Sequence, residues 1–176
     1  MSAGIVSEAS DFSRPLAALK ASHDAIRVQC DALRALTERM ATAGPDGEAQ
    51  RLAADIMRYF DTAARHHHED EEDDLLPRMM VVSTINRGSS LTRLVATIAT
   101  EHCEMERGWT LLRALLQGVT AGEAFFDPLL VDHFVKLYGA HIAVEEANLF
   151  PLAEMLLSRA DLAAISSGMA QRRGNP

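Results

Sequence analysis

Apolar residues recur along the chain at alternating gaps of three and four, the period of a helix that buries one face. The first stripe is Leu16, Leu19, His23, Ile26, Cys30, Leu33, Thr37 and Met40. It predicts a helix that opens on Ser13 as N-cap, holds Pro15 in its first turn and stops at Ala43-Gly44-Pro45. A second helix is expected from Gly47 to the region of Pro77 or a turn beyond, with Ala53, Ile56, Phe60, Ala63 and His67 inward. Residues 83–90, around Asn86-Arg87-Gly88, read as a loop. The third stripe is Leu91, Val95, Ile98, His102, Met105, Trp109, Leu112 and Leu116, ended by Gly118. The fourth opens on Asp127-Pro128, an N-cap and N1 pair, and carries Leu130, Phe134, Leu137, His141 and Val144, then Leu152 and Leu156. A short helix after Asp161 and a frayed tail, QRRGNP, complete the chain.

Long helices joined by short connections make an all-α, up-down-up-down four-helix bundle with a short extra C-terminal helix. The expected organisation is a flexible N-terminus over 1–12, the bundle over 13–160, and the C-terminal helix and tail over 161–176. Each inward stripe of the bundle carries one histidine: His23, His67, His102 and His141. A polar ring on an apolar face costs free energy unless it is satisfied, and a lone one is usually a core histidine with a partner. Four rings near one level satisfy one another badly and suit a cation well.

Two stretches read as copies of one another: HHEDEEDDLLP, from His67 to Pro77, and HIAVEEANLFP, from His141 to Pro151. In register they share the histidine, two adjacent glutamates, a leucine and the proline. Glu71 and Glu145 follow their histidines at i+4, and Glu106 follows His102 in the same way, so each pair shares a helix face. Carboxylates buried there without a basic partner are strongly disfavoured unless a cation supplies the charge. The candidate metal ligands are therefore His23, His67, Glu71, His102, Glu106, His141 and Glu145. If Glu71 and Glu145 bridge two six-coordinate irons, and an oxo or hydroxo group bridges them again, the other five are terminal ligands. One position stays open for a small diatomic ligand or peroxide. Nitrogen and oxygen donors without thiolate suit iron better than manganese or zinc, and zinc prefers fewer ligands. A ferritin-like site is disfavoured because its motif, Glu-x-x-His, has the reverse order and a shorter gap.

The formal net charge of −8 argues against nucleic acid and anionic membrane as partners. Cys30 and Cys103 are too few for a disulfide framework and read as core residues, with a redox role for Cys103 as the lesser alternative. No secretory leader and no membrane-spanning run is evident, so a cytoplasmic setting is expected. Oligomeric state is not legible.

The pattern His23, His67-x-x-x-Glu71, His102, His141-x-x-x-Glu145-Glu-x-x-Leu-Phe-Pro resembles the hemerythrin-like, or HHE cation-binding, domain. The resemblance covers most of the chain and implies a bundle around two non-haem iron ions. It also implies binding of dioxygen, handling of nitric oxide or peroxide, sensing of oxygen or iron, or repair of iron–sulfur centres. Oxygen carriers have a second histidine where this chain has Glu106, and an anion there would favour redox turnover or sensing over carriage. The competing readings are an iron-storage or regulatory module without turnover and a metal-free helical interaction protein; whether the chain is an enzyme is left open.

Register selects His67 from the triplet His66-His67-His68 as the inward residue, although a stripe through Leu52 and Tyr59 would select His66. Glu72, Glu101 or Glu146 are candidate acceptors for the N–H groups of ligand imidazoles. Trp109 and the methionines read as core packing and His133 as a surface residue. Pro77 and Pro151 are expected to kink their helices past the site.

Overall fold

The structure is a computed structural model, and it describes residues 14–85 and 89–174. Ser13, the expected flexible segment 1–12 and Asn86-Arg87-Gly88 of the expected loop lie outside the described residues. No strand occurs among those described. The elements are α1 (Pro15–Ala43), α2 (Gly47–Tyr59), α3 (Arg65–Glu69), α4 (Leu76–Ile85), α5 (Ser89–Thr120), α6 (Pro128–Val144), α7 (Phe150–Leu156) and α8 (Arg159–Arg172). Three π-helical segments, Phe60–Ala64, Asp70–Leu75 and Glu145–Leu149, join α2 to α3, α3 to α4 and α6 to α7. The chain thus forms four rods: α1, α2 to α4, α5, and α6 with α7. Each packs on the next and the last returns to the first, so the result is an all-α helical bundle.

Local chemistry sets the ends. Asp46 accepts hydrogen bonds from the N–H groups of Glu48 and Ala49, and Asp127 accepts from those of Leu129 and Leu130. A capping box, Ser158 with Asp161, starts α8. Gly44 leaves α1 at φ +68°, a conformation that favours glycine. Of the loop expected over 83–90, Ser83 to Ile85 instead continue α4, and Ser89 and Ser90 instead open α5. Pro77 and Pro151 are the second residues of α4 and α7, but each rod runs on from a π segment, so each proline removes a hydrogen bond from a continuous helix. The irregularity is a π segment ahead of each proline. No helix among the described residues is long and apolar enough to cross a membrane.

The inward register differs from the expected stripe on two rods. Beyond Phe60 the second rod buries Ala64, not Ala63, and then His67, Glu71 and Leu75. On the fourth rod Val131, Phe134, Val135, Tyr138 and His141 are buried, while Leu130, Leu137 and Val144 are only half-buried. Two apolar clusters result. One holds Ile26, Leu33, Ile56, Phe60, Met105 and Phe134; the other holds Leu19, Leu75, Met79, Ile98, Leu149 and Phe150. On every rod the histidine of the stripe falls between a residue of one cluster and a residue of the other. A polar layer therefore divides the core in two.

The chain is tied down as far as Arg173, and Asn175 and Pro176 of the expected tail lie outside the described residues. Arg172 meets Asp70 and Asp74 at 2.6 Å each, and Arg173 meets Asp70 at 2.7 Å. Asp70 is fully buried, one residue before Glu71. The tail expected to fray thus neutralises the acidic run that carries the site. A Cβ at Gly168 would fall inside the contact distance of the Asp74 carboxylate. Arg172→Ala combined with Arg173→Ala should lower stability by about 3–5 kcal/mol, because it leaves Asp70 buried without a counter-charge. Urea unfolding checks this, and an unchanged midpoint would show the clasp to be idle.

Candidate metal centre

The repeated stretches meet across the bundle. His67 and Glu71 enter from the second rod, His141 and Glu145 from the fourth, His23 from α1 and His102 from α5. None of these six is more than 2% exposed. The ligand-capable atoms of His23, His67, Glu71 and Glu145 lie within 4.8 Å of one another, as do those of Glu71, His102, His141 and Glu145. Glu71 and Glu145 belong to both groups. Between them the contacts are close: His23 Nε2 to Glu145 at 3.1 Å, His141 Nε2 to Glu145 at 3.2 Å, His102 Nε2 to Glu71 at 3.4 Å and His67 Nε2 to Glu71 at 3.5 Å.

The second glutamate of each copy faces the other way. His102 Nδ1 donates to Glu72 at 2.8 Å, and His23 Nδ1 donates to Glu146 at 3.1 Å. His141 Nδ1 donates to Glu101 at 2.8 Å. A carboxylate can only accept, so each Nδ1 carries the proton and each Nε2 is turned inward with its lone pair. The repeat now has a physical meaning. Each copy contributes an inward histidine, an inward glutamate, and an outward glutamate that orients an imidazole from a helix lacking the repeat.

Glu106 does not join the cluster. It is exposed. From His102 the inward face of α5 continues to Met105 at i+3, and i+4 in a regular α-helix overshoots it. A residue set aside on register joins instead: His68, whose ring stacks on His102 at 4.3 Å. It forms a third group with His102 and His141. His66, half-buried, and His133, exposed, belong to none of the three groups. Adjacent residues of a helix point about 100° apart, so His67 faces the bundle axis while His68 faces α5. Three consecutive histidines were the signal for this second role. Cys30 lies in the core, whereas Cys103 is exposed rather than core. Trp109 is half-buried, and its indole N–H donates to Asp61 at 3.0 Å.

The donor set fits a cation. Both oxygens of Glu71, both oxygens of Glu145, His23 Nε2 and both nitrogens of His67 are buried without a hydrogen-bond partner in the structure. Such groups cost several kcal/mol each unless paired or coordinated. The Nε2 atoms of His102 and His141 face each other at 3.2 Å, an arrangement that needs a proton or a metal between two lone pairs. Without metal the electrostatics are divided. Burial and the Glu145 charge push the Glu71 carboxyl up, whereas the His141 and His23 rings outweigh burial and hold Glu145 down. Burial works against the charged form of His102, but Glu71 and Glu72 outweigh it and raise the ring to about 10. Burial and neighbouring rings push His67 and His68 down.

Glu71 and His102 therefore hold protons that a metal must displace. Apparent metal affinity is expected to rise with pH up to about 10, most steeply below about 7 where both groups hold their protons, with proton release on binding. Calorimetry in buffers of different ionisation enthalpy measures that release, and a pH-independent affinity would overturn the expectation.

A comparison with curated proteins gives no match. The family model of the hemerythrin HHE cation-binding domain matches residues 14–153, which span all four rods and every residue of the three clusters. The chain belongs to that family.

Proposed function

We propose that the centre holds two iron ions and that the protein binds, senses or reacts with dioxygen, nitric oxide or peroxide. The observation that carries this reading is the pair of four-residue groups sharing Glu71 and Glu145. His23 and His67 would serve one ion, His68, His102 and His141 would serve the other, and Glu71 and Glu145 would offer an oxygen to each. With an oxo or hydroxo bridge, the first ion would meet five donors and the second six, which would leave one position for a small ligand on the His23 and His67 side. Iron so placed supplies electron exchange with a small bound ligand.

The chain's own residues shape that chemistry. Glu72, Glu101 and Glu146 hold the Nδ1 protons of His102, His141 and His23, which makes these imidazoles stronger donors and favours the higher metal oxidation state. Phe150 stacks on His23 at 5.2 Å and, being buried, keeps water from that ring. Glu106 is exposed, so no anionic ligand at that place weighs against reversible dioxygen carriage. A metal-free interaction protein would leave the oxygens of two buried carboxyl groups without hydrogen-bond partners, which disfavours that alternative.

Metal analysis with absorption spectroscopy of the aerobically purified protein, before and after reduction and mixing with dioxygen, nitric oxide or peroxide, is the test. Two irons per chain and a near-ultraviolet band that responds to one of these ligands are expected. One zinc per chain with no capacity for iron would overturn the reading. Binding without turnover would leave the storage or regulatory alternative.

A further inference from the structure

A cleft of about 520 Å³ lies against the centre, between the second rod, α5 and α6. Its floor includes the stacked rings of His68 and His102, and Tyr138 lies beside them. The volume is far more than a diatomic molecule needs and falls in the range of sites for small organic ligands. Phe60 and Trp109, with ring centroids 4.8 Å apart, form an aromatic wall. That wall suits a flat apolar body.

The charges around the cleft are not equally available. Asp61 accepts from the Trp109 indole and from Arg113, and Glu72 accepts from His102. Glu69 faces Arg65 at 3.7 Å. Glu106 also lines the cleft, and its carboxylate has no hydrogen-bond or ion-pair partner among the described residues. The free charge presented to a ligand is therefore negative, next to aromatic faces that attract cations.

We propose that this cleft binds a small organic ammonium ion with a flat apolar body. The ammonium pairs with Glu106, the body lies on Phe60 and Trp109, and the inner edge touches His68 and His102. The ligand contacts imidazoles of the centre and does not fill the open position on the His23 and His67 side. The proposal rests on the di-iron reading only in making that contact a contact with iron ligands. The residue that departs from the oxygen-carrier pattern becomes the recognition group for a second ligand.

The test uses Trp109, the single tryptophan of the chain, as its reporter. Purified protein of measured metal content is titrated with 2-phenylethylamine, 2-phenylethanol and phenylacetate under selective tryptophan excitation. The amine should change the emission saturably and bind roughly tenfold more tightly than the alcohol, with no binding of the acid. Glu106→Gln should bring the amine to the level of the alcohol while metal content stays as in the wild type. Equal affinity for amine and alcohol, or an unchanged amine response in Glu106→Gln, would overturn the proposal. Amine binding by protein that takes up no iron supports the cleft and defeats the di-iron reading; iron loading without selective amine binding does the reverse.

Discussion

Glu71→Ala and Glu145→Ala should each empty the centre of both metal ions. These carboxylates are the members common to the two four-residue groups, so losing either removes a ligand from both ions and the charge that offsets them. The histidines divide differently. His23→Ala or His67→Ala should weaken one ion by more than about 100-fold, since even orienting residues around a metal are worth 10- to 100-fold. His68→Ala should weaken the other, and His66→Ala should leave both. Elemental analysis after equilibration against limiting iron gives the stoichiometries directly. Retention of both irons in Glu71→Ala would show that the carboxylate lies beside the metals without bridging them.

Chelation should lower the thermal midpoint by on the order of 10 °C. Metal held about 1,000-fold above its dissociation constant adds roughly 4 kcal/mol to the native state, and each kcal/mol moves a chain of this size by about 2–4 °C. The polar layer explains why the fold depends on it. Glu71 and Glu145 stay fully buried between two apolar clusters, with their oxygens unpaired once the metal leaves. Among metal-free proteins, Glu71→Gln should therefore be at least as stable as the wild type, most clearly above about pH 7, where the wild-type carboxyl has to give up its proton in the core. Differential scanning calorimetry of both proteins, with and without chelator, separates the effects. A chelated wild type that melts with the loaded protein would mean the layer is satisfied without metal.

The four rods and their histidines were legible because stripes at alternating gaps of three and four name the buried face wherever the helix is regular. His23, His102 and His141 needed nothing more. Legibility failed in the phase of the stripe. Ala63 stands for Ala64 in the expected stripe because gaps of three and four alternate strictly there, whereas the buried face takes two gaps of four in a row, from Ile56 to Phe60 to Ala64. The π segments explain why an i+4 glutamate works twice and fails once. Glu71 and Glu145 lie within π segments, and Glu106 sits in plain α-helix, where the inward face has moved to Met105. His68 lies outside a single stripe per helix, because a residue beside the stripe can face the neighbouring rod. The role of Arg172 and Arg173 was hidden for another reason: their partners Asp70 and Asp74 lie about a hundred residues away in sequence.

The π segments have a consequence for which changes of length the gene can absorb. A single π turn is an α-helix carrying one residue too many. Losing one residue at Asp73, an outward position of the Asp70–Leu75 segment, lets the helix close into regular α geometry while Leu75, Leu76 and Met79 keep their place in the core. The same loss in the middle of α5 turns everything after it by about 100° and scatters the apolar face. A one-codon deletion in the repeat would thus be forgiven by the bundle and felt at Glu71, whereas most other one-codon deletions in the rods would be felt by the bundle first.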